Sequence, residues 1–172
     1  FNSKNHNWFA FQLGYGIDDL IFQNSSFIVE YNWTDQRIYR HKYKINDFYS
    51  HGEPLGFWAG PHAEELLASY SLMVDYSKIS IDYSMVKRGL ISDETTIANY
   101  NDTYNSRFSD GYELKNYFSV RLQTASKIQG LYYIFGINQA RFENNGLTSD
   151  FSSSNKYSIE LGIFYNYESG KD

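Results

Sequence analysis

Apolar and polar residues alternate one by one along most of this chain. That period of two confines it to β-strands with two unlike faces. From Leu66 to Tyr76 one face reads Leu66, Ala68, Tyr70, Leu72, Val74 and Tyr76, while Ser69, Ser71 and Asp75 fall on the other. The same rhythm runs from Ile79 to Val86, Phe118 to Ala125, Leu131 to Ala140 and Tyr157 to Tyr167. Two earlier segments, Phe9 to Tyr15 and Phe27 to Trp33, repeat it. This predicts seven strands, each of about 7 to 11 residues, longer than the ~5 to 6 of ordinary globular sheets. They match the ~9 to 11 residues with which a tilted strand crosses a bilayer.

The connections carry their own pattern. Tight turns are predicted around Ser77-Lys78 and from Ser126 to Gly130, with a moderately short link from Gly16 to Asn24. Between them lie long polar segments, Thr34 to Glu65, Gly89 to Glu113 and Arg141 to Lys156. Short turns at one end and long loops at the other are the habit of an outer-membrane barrel. Tyr15, Trp33, Tyr76, Tyr157, Tyr165 and Tyr167 stand near strand ends, where interfacial aromatic girdles sit. The fold expected is therefore all-β, an antiparallel up-and-down transmembrane β-barrel, in a bacterial outer membrane and in contact with its lipid. A soluble barrel or sandwich would show the same alternation with its apolar face turned inward. Seven strands break the even count of a closed bacterial barrel. The expectation is one barrel domain over residues 1–172, the C-terminal portion of a longer chain whose earlier strands precede Phe1; a complete eight-stranded barrel is the alternative.

Composition narrows the function classes. Aromatic residues make up 19% of the 172 positions and hydrophobic residues 42%, too many for a disordered chain. With no cysteine, neither a disulfide framework nor a thiolate metal site is available. A net charge of −5 gives no basic footprint for nucleic acid. The longest stretches free of formal charge, Asn5 to Ile17 and Ile128 to Ala140, are too short for a membrane-spanning helix. His41, His51 and His62 stand 10 and 11 residues apart, without the short paired spacing of a zinc site. Neither a nucleophile elbow nor a phosphate loop is present. No catalytic residue, metal or cofactor is expected, and the chain reads as a binding protein and not an enzyme.

The segment from Thr34 to Glu65 holds both prolines, three of the four histidines and two tryptophans in or beside it. Aromatic faces and hydrogen-bonding cations are what a saccharide site needs. Arg37, Tyr39, Arg40, His41 and Trp58 supply both in one loop, and His62 and Glu64 add polar groups where the next strand begins. Packing within the loop and contact with lipopolysaccharide at the rim is the competing reading of the same residues.

Within that segment, Gly52, Pro54, Leu55, Gly56, Gly60 and Pro61 form a G-x-P-L-G-x-x-x-G-P pattern. It leads into a strand hairpin that closes on Arg88-Gly89. Over about fifty residues this resembles the capsule assembly protein Wzi family. The resemblance implies a large outer-membrane barrel that acts as a lectin, binding capsular or exopolysaccharide and helping to attach or assemble it at the cell surface. A passive pore or assembly subunit without a sugar site is the other function this sequence allows.

Overall fold

The computed structural model describes residues 9–36, 38, 49–50, 53–54, 57–90, 92, 94, 107–146 and 152–165. Its strands are β1 (Ala10–Asp18), β2 (Ser25–Thr34), β3 (Tyr49–Ser50), β4 (Glu53–Pro54), β5 (Ala63–Val74), β6 (Ser77–Gly89), β7 (Tyr112–Ala125), β8 (Leu131–Asn145) and β9 (Ser152–Tyr165). The short β3 and β4 pair only with each other. The other seven form one antiparallel sheet in the order β1-β2-β5-β6-β7-β8-β9. Neighbours in the sheet are therefore neighbours among the long strands of the chain. Seven alternating strands running up and down are what the period of two predicts.

Register carries the alternation across the whole sheet. Leu72, Ile79, Leu122, Phe135 and Leu161 occupy one continuous row from β5 to β9. Beside it runs the row Ile17, Phe27, Tyr70, Ile81, Val120, Ile137 and Ile159, which crosses all seven strands. A one-residue slip anywhere would turn a strand's apolar set to the opposite face, so these matched rows fix the pairing.

The opposite face is knitted by polar pairs. Ser69 donates to Asp82 at 2.6 Å, Asn32 to Glu65 at 2.8 Å and Tyr117 to Asn138 at 2.9 Å. Arg121 on β7 forms an ion pair with Glu160 on β9, Nη2 to Oε2 at 3.0 Å. The two face each other across Gly136 of β8. A Cβ at Gly136 would lie 3.0 Å from Glu160 Oε2, so the missing side chain leaves the bridge its path.

Every strand packs only against its hydrogen-bonded neighbours, and β1 and β9 do not meet. The sheet is open, and closure into a barrel is absent among the described residues. Among the described residues no second layer covers the apolar face, where Ile159 is 77% exposed and Leu161 74%. The buried apolar residues, Ala59, Ala63 and Val86, gather instead at one end of the sheet with Phe57 packed on them.

Three local expectations are corrected. The β5–β6 turn is centred on Asp75-Tyr76, not Ser77-Lys78: Val74 pairs with Ser77, and Asp75 takes φ of 50°. Asp tolerates that left-handed conformation better than most residues with a Cβ. Of the long polar segment from Arg141 to Lys156, most is strand, because β8 runs to Asn145 and β9 starts at Ser152. The hydrogen-bonded ladder continues past the apolar rows into residues that are mostly polar and no longer alternate, Phe142 apart. Likewise β5, β6 and β7 extend beyond the predicted ends on the side of the long connections, and β6 also starts two residues earlier, at Ser77.

The short turns 19–24, 75–76 and 126–130 lie at one end of the sheet, and the connections 35–62, 90–111 and 146–151 at the other. In the first turn, Asp19 N–H donates to Ser25 O and Asp19 Oδ1 accepts from Asn24 N–H at 2.6 Å.

Candidate functional site

Of the residues singled out in the sequence, Arg37, Tyr39, Arg40 and His41 lie outside the described residues. Trp58, His62 and Glu64 are described, and all three stand at the end of the sheet that carries the long connections.

Trp58 follows Phe57 in the turn before β5, and 59% of it is exposed. Its position is nonetheless fixed. The indole Nε1–H donates to Glu65 Oε1 at 3.0 Å, and Glu65 Oε2 accepts from Asn32 Nδ2 at 2.8 Å. Glu65 is buried, so its charge is offset by two donors on separate elements. The result is an aromatic ring open to solvent on an anchored edge. Next to Phe57, an open cavity of about 430 Å³ is lined by Ala10, Phe11, Gln12, Asn32, Trp33 and Thr34 at the free edge of β1. Its lining includes the amides of Gln12 and Asn32, which are bonded to Glu30 and Glu65.

His62 is 2% exposed and ties three segments together. Its ring Nε2 accepts from the backbone N–H of Phe108 at 2.9 Å. That bond requires an unprotonated Nε2, so Nδ1 carries the hydrogen and donates to Leu90 O at 3.1 Å. Phe108 stacks on the imidazole, with centroids 4.5 Å apart and planes within 10°. The His62 backbone N–H donates to Asp35 O, and its carbonyl accepts from Gly89 N–H. A Cβ at Gly89 would lie 2.3 Å from the imidazole, so only glycine lets β6 pass this close. Both ring nitrogens of His62 are committed to backbone groups, which leaves it no free lone pair or proton for a ligand.

Glu64 faces Arg107, which the sequence reading did not identify. Arg107 Nε donates to Glu64 Oε1 at 3.2 Å, and Nη1 donates to Thr34 O at 2.8 Å. Nη2 reaches Ala63 O at 3.4 Å. The guanidinium lies over the Trp33 ring at 4.5 Å. One planar cation thus binds the end of β2, the start of β5 and the turn before β7. Lys87 Nζ sits 4.2 Å from the centroids of Phe108 and Tyr112, continuing the alternation of cations and rings. Thr34, fully buried, donates to Gly60 O at 2.8 Å and accepts from Ala63 N–H at 3.0 Å.

Burial drives the His62 pKa from its ordinary 6.5 down to about 4, and the Arg107 charge pushes it the same way. The hydrogen bond to Leu90 O and the carboxylates of Asp110 and Asp35 oppose that shift without cancelling it. A base whose folded pKa is depressed contributes stability only while it is neutral. That contribution is complete above about pH 6.5 and is lost as pH falls toward 4, and it amounts to about 3 kcal/mol at most.

Among the described residues no cluster of three or more His, Asp or Glu is placed to hold a metal ion. No helix there is long and apolar enough to cross a membrane, which does not bear on crossing by strands. The chain matches no protein-family model, no curated protein and no solved structure.

Proposed function

We propose that the seven-stranded sheet is a section of a bacterial outer-membrane β-barrel, larger than these strands alone, whose loop end binds surface polysaccharide and helps attach or assemble it at the cell surface. One observation carries the membrane reading: the apolar face is exposed on β1, β6, β7, β8 and β9 and only half-buried on β2 and most of β5, while the other face holds the polar pairs. Covering a Leu or Ile is worth about 1.5 to 3 kcal/mol each. A chain in water would not leave Leu13, Ile137, Ile159, Leu161 and Ile163 bare at once. Lipid covers such a face without a second protein layer, and further strands on β1 and β9 would close the sheet.

The dimensions agree with a bilayer. Tyr157 and Tyr165 bracket the apolar row on β9, about 26 Å apart along the strand at ~3.3 Å per residue. Tilted by about 40°, that spans about 20 Å, close to the ~25 Å apolar band of an outer-membrane barrel.

Polysaccharide binding rests on the anchored, exposed ring of Trp58, on the cations and rings that the sequence gathers from Arg37 to His41, and on the resemblance to the Wzi family. In this reading Trp58 offers an apolar face, and Arg37, Tyr39, Arg40 and His41 supply hydrogen bonds. His62 and Glu64 are positioning residues, acting through Phe108 and Arg107. Arg37→Ala combined with Arg40→Ala is expected to weaken polysaccharide retention by roughly tenfold or more, since a charged hydrogen bond contributes about 1.5 to 3 kcal/mol. The measurement is polysaccharide released from cells carrying the double variant, with barrel abundance followed in parallel. Normal retention at normal abundance would reject this loop as the site.

A passive pore is the second reading. It is favoured by the polar face, where Arg121 and Glu160 would stand in a wet lumen near Asp82. Conductance across planar bilayers separates the two: block by added polysaccharide supports the lectin, and indifference to it supports the pore.

A further inference from the structure

Among the described residues, the imidazole of His62 ties the start of β5 both to Leu90, after β6, and to Phe108, in the turn before β7. We infer that His62 is an acid-released latch: neutral, it clamps Leu90 and Phe108 to the sheet, and its protonation frees the turn 108–110 while the sheet stays folded. The inference does not depend on what the loops bind or on what covers the apolar face.

Geometry makes the release specific. A proton added to Nε2 points at the N–H of Phe108, so an acceptor becomes a donor facing a donor. That one event breaks the 2.9 Å bond and leaves a cation in a site only 2% exposed. The ring cannot turn within the site to relieve this, because Gly89 closes on one side and Phe108 stacks on it. The way out is for residues 108–110 to lift between Arg107, which Thr34 O still holds, and Gly111, which Leu90 N–H still holds.

The surrounding charges set the direction. The turn before β7 brings Arg107, which disfavours the cation, and Asp110, which favours it. The end of β2 brings Asp35, also favouring it. β5 supplies Glu64, already paired with Arg107, and β6 supplies Lys87 over the Phe108 ring and Arg88 opposite Ala63. Burial outweighs the carboxylates, so the neutral ring persists well below the pH at which a free histidine charges. Once the latch opens the ring meets water and its affinity for protons rises, so release is expected between about pH 4 and 6.5.

The chain has no cysteine, so a single introduced thiol reports alone. Ser109 is exposed within the latched turn, whereas Lys127 is exposed in a turn at the far end of the sheet. A nitroxide on Ser109→Cys is expected to gain mobility on acidification and to lose it again on return to neutral pH. The same label on Lys127→Cys is expected to stay unchanged. In His62→Gln, which cannot take up the proton, the Ser109 label should show no acid transition. Constant mobility at Ser109 down to about pH 3.5, or an unchanged transition in His62→Gln, would overturn the latch. So would equal loosening at both sites, since that is general unfolding. Should His62→Gln fail to fold, NMR titration of the His62 ring in the unaltered chain decides the matter. A value near 6.5 or above rules the latch out, and one well below 6 that tracks the Ser109 transition supports it.

Discussion

Leu161→Arg is expected to cost about 2 to 4 kcal/mol of folding free energy in lipid vesicles, and Ser158→Arg, three positions away on the same strand, much less. The two side chains project from opposite faces of β9. Leu161 pairs with Phe135 within the row that includes Leu72, Ile79 and Leu122. Ser158 lies opposite Asn138, whose amide reaches its hydroxyl at 3.4 Å. On a lipid-facing surface a guanidinium near mid-depth must snorkel or thin the bilayer, whereas on a wet face it meets water and the carboxylate of Glu160. If the apolar face met water instead, Leu161→Arg would be neutral or would improve solubility, because both positions are already exposed. Urea titration of vesicle-inserted protein gives the comparison directly. Equal costs at the two positions would overturn the facing and, with it, the membrane reading.

The period of two was enough to place the strands and their faces, because apolar phase survives wherever a strand has unlike sides. It failed where phase is silent. From Leu66 to Tyr76 the apolar residues fall on even positions, and from Ile79 they fall on odd ones. A turn must lie between, but Tyr76 keeps the first phase and draws the predicted turn two residues too late. From Arg141 to Lys156 the apolar alternation stops, with Phe142 falling on the polar side, so the side chains gave no sign of the backbone ladder that continues through them.

The loop-end cluster was legible only in part. Trp58, His62 and Glu64 stood out as chemically capable residues in one segment, but their partners come from elsewhere. Arg107 binds Thr34 across 73 positions of sequence, and Phe108 meets His62 across 46. No local spacing encodes such a pairing. The nearest signal was Gly89, read as the close of a hairpin motif; its actual constraint is the 2.3 Å approach of the imidazole to where a Cβ would stand.

Arg107→Ala is expected to lower stability by about 2 to 4 kcal/mol, an unusually large effect for a residue outside the strands. The substitution removes an ion pair whose side chains are only 16% and 24% exposed. It also removes the 2.8 Å bond to Thr34 O and the cation over Trp33. Glu64 is left half-buried with its charge unopposed by Arg107, which is why the loss exceeds that of a surface ion pair, typically ~0 to 1 kcal/mol. Arg107→Lys should recover less than half of it, because an ammonium cannot reach a carboxylate and two carbonyls in one plane. Adding Glu64→Gln to Arg107→Ala should recover part of the loss by removing the stranded charge. Denaturant midpoints of the four proteins test this, and a loss within about 0.5 kcal/mol for Arg107→Ala would show that the clamp holds nothing together. The same variant acts on His62. Arg107 is the second cause of its depressed pKa, after burial, so Arg107→Ala should raise that pKa while leaving it below 6.5. The Ser109 label would then report release at a higher pH, which couples the clamp to the latch through charge.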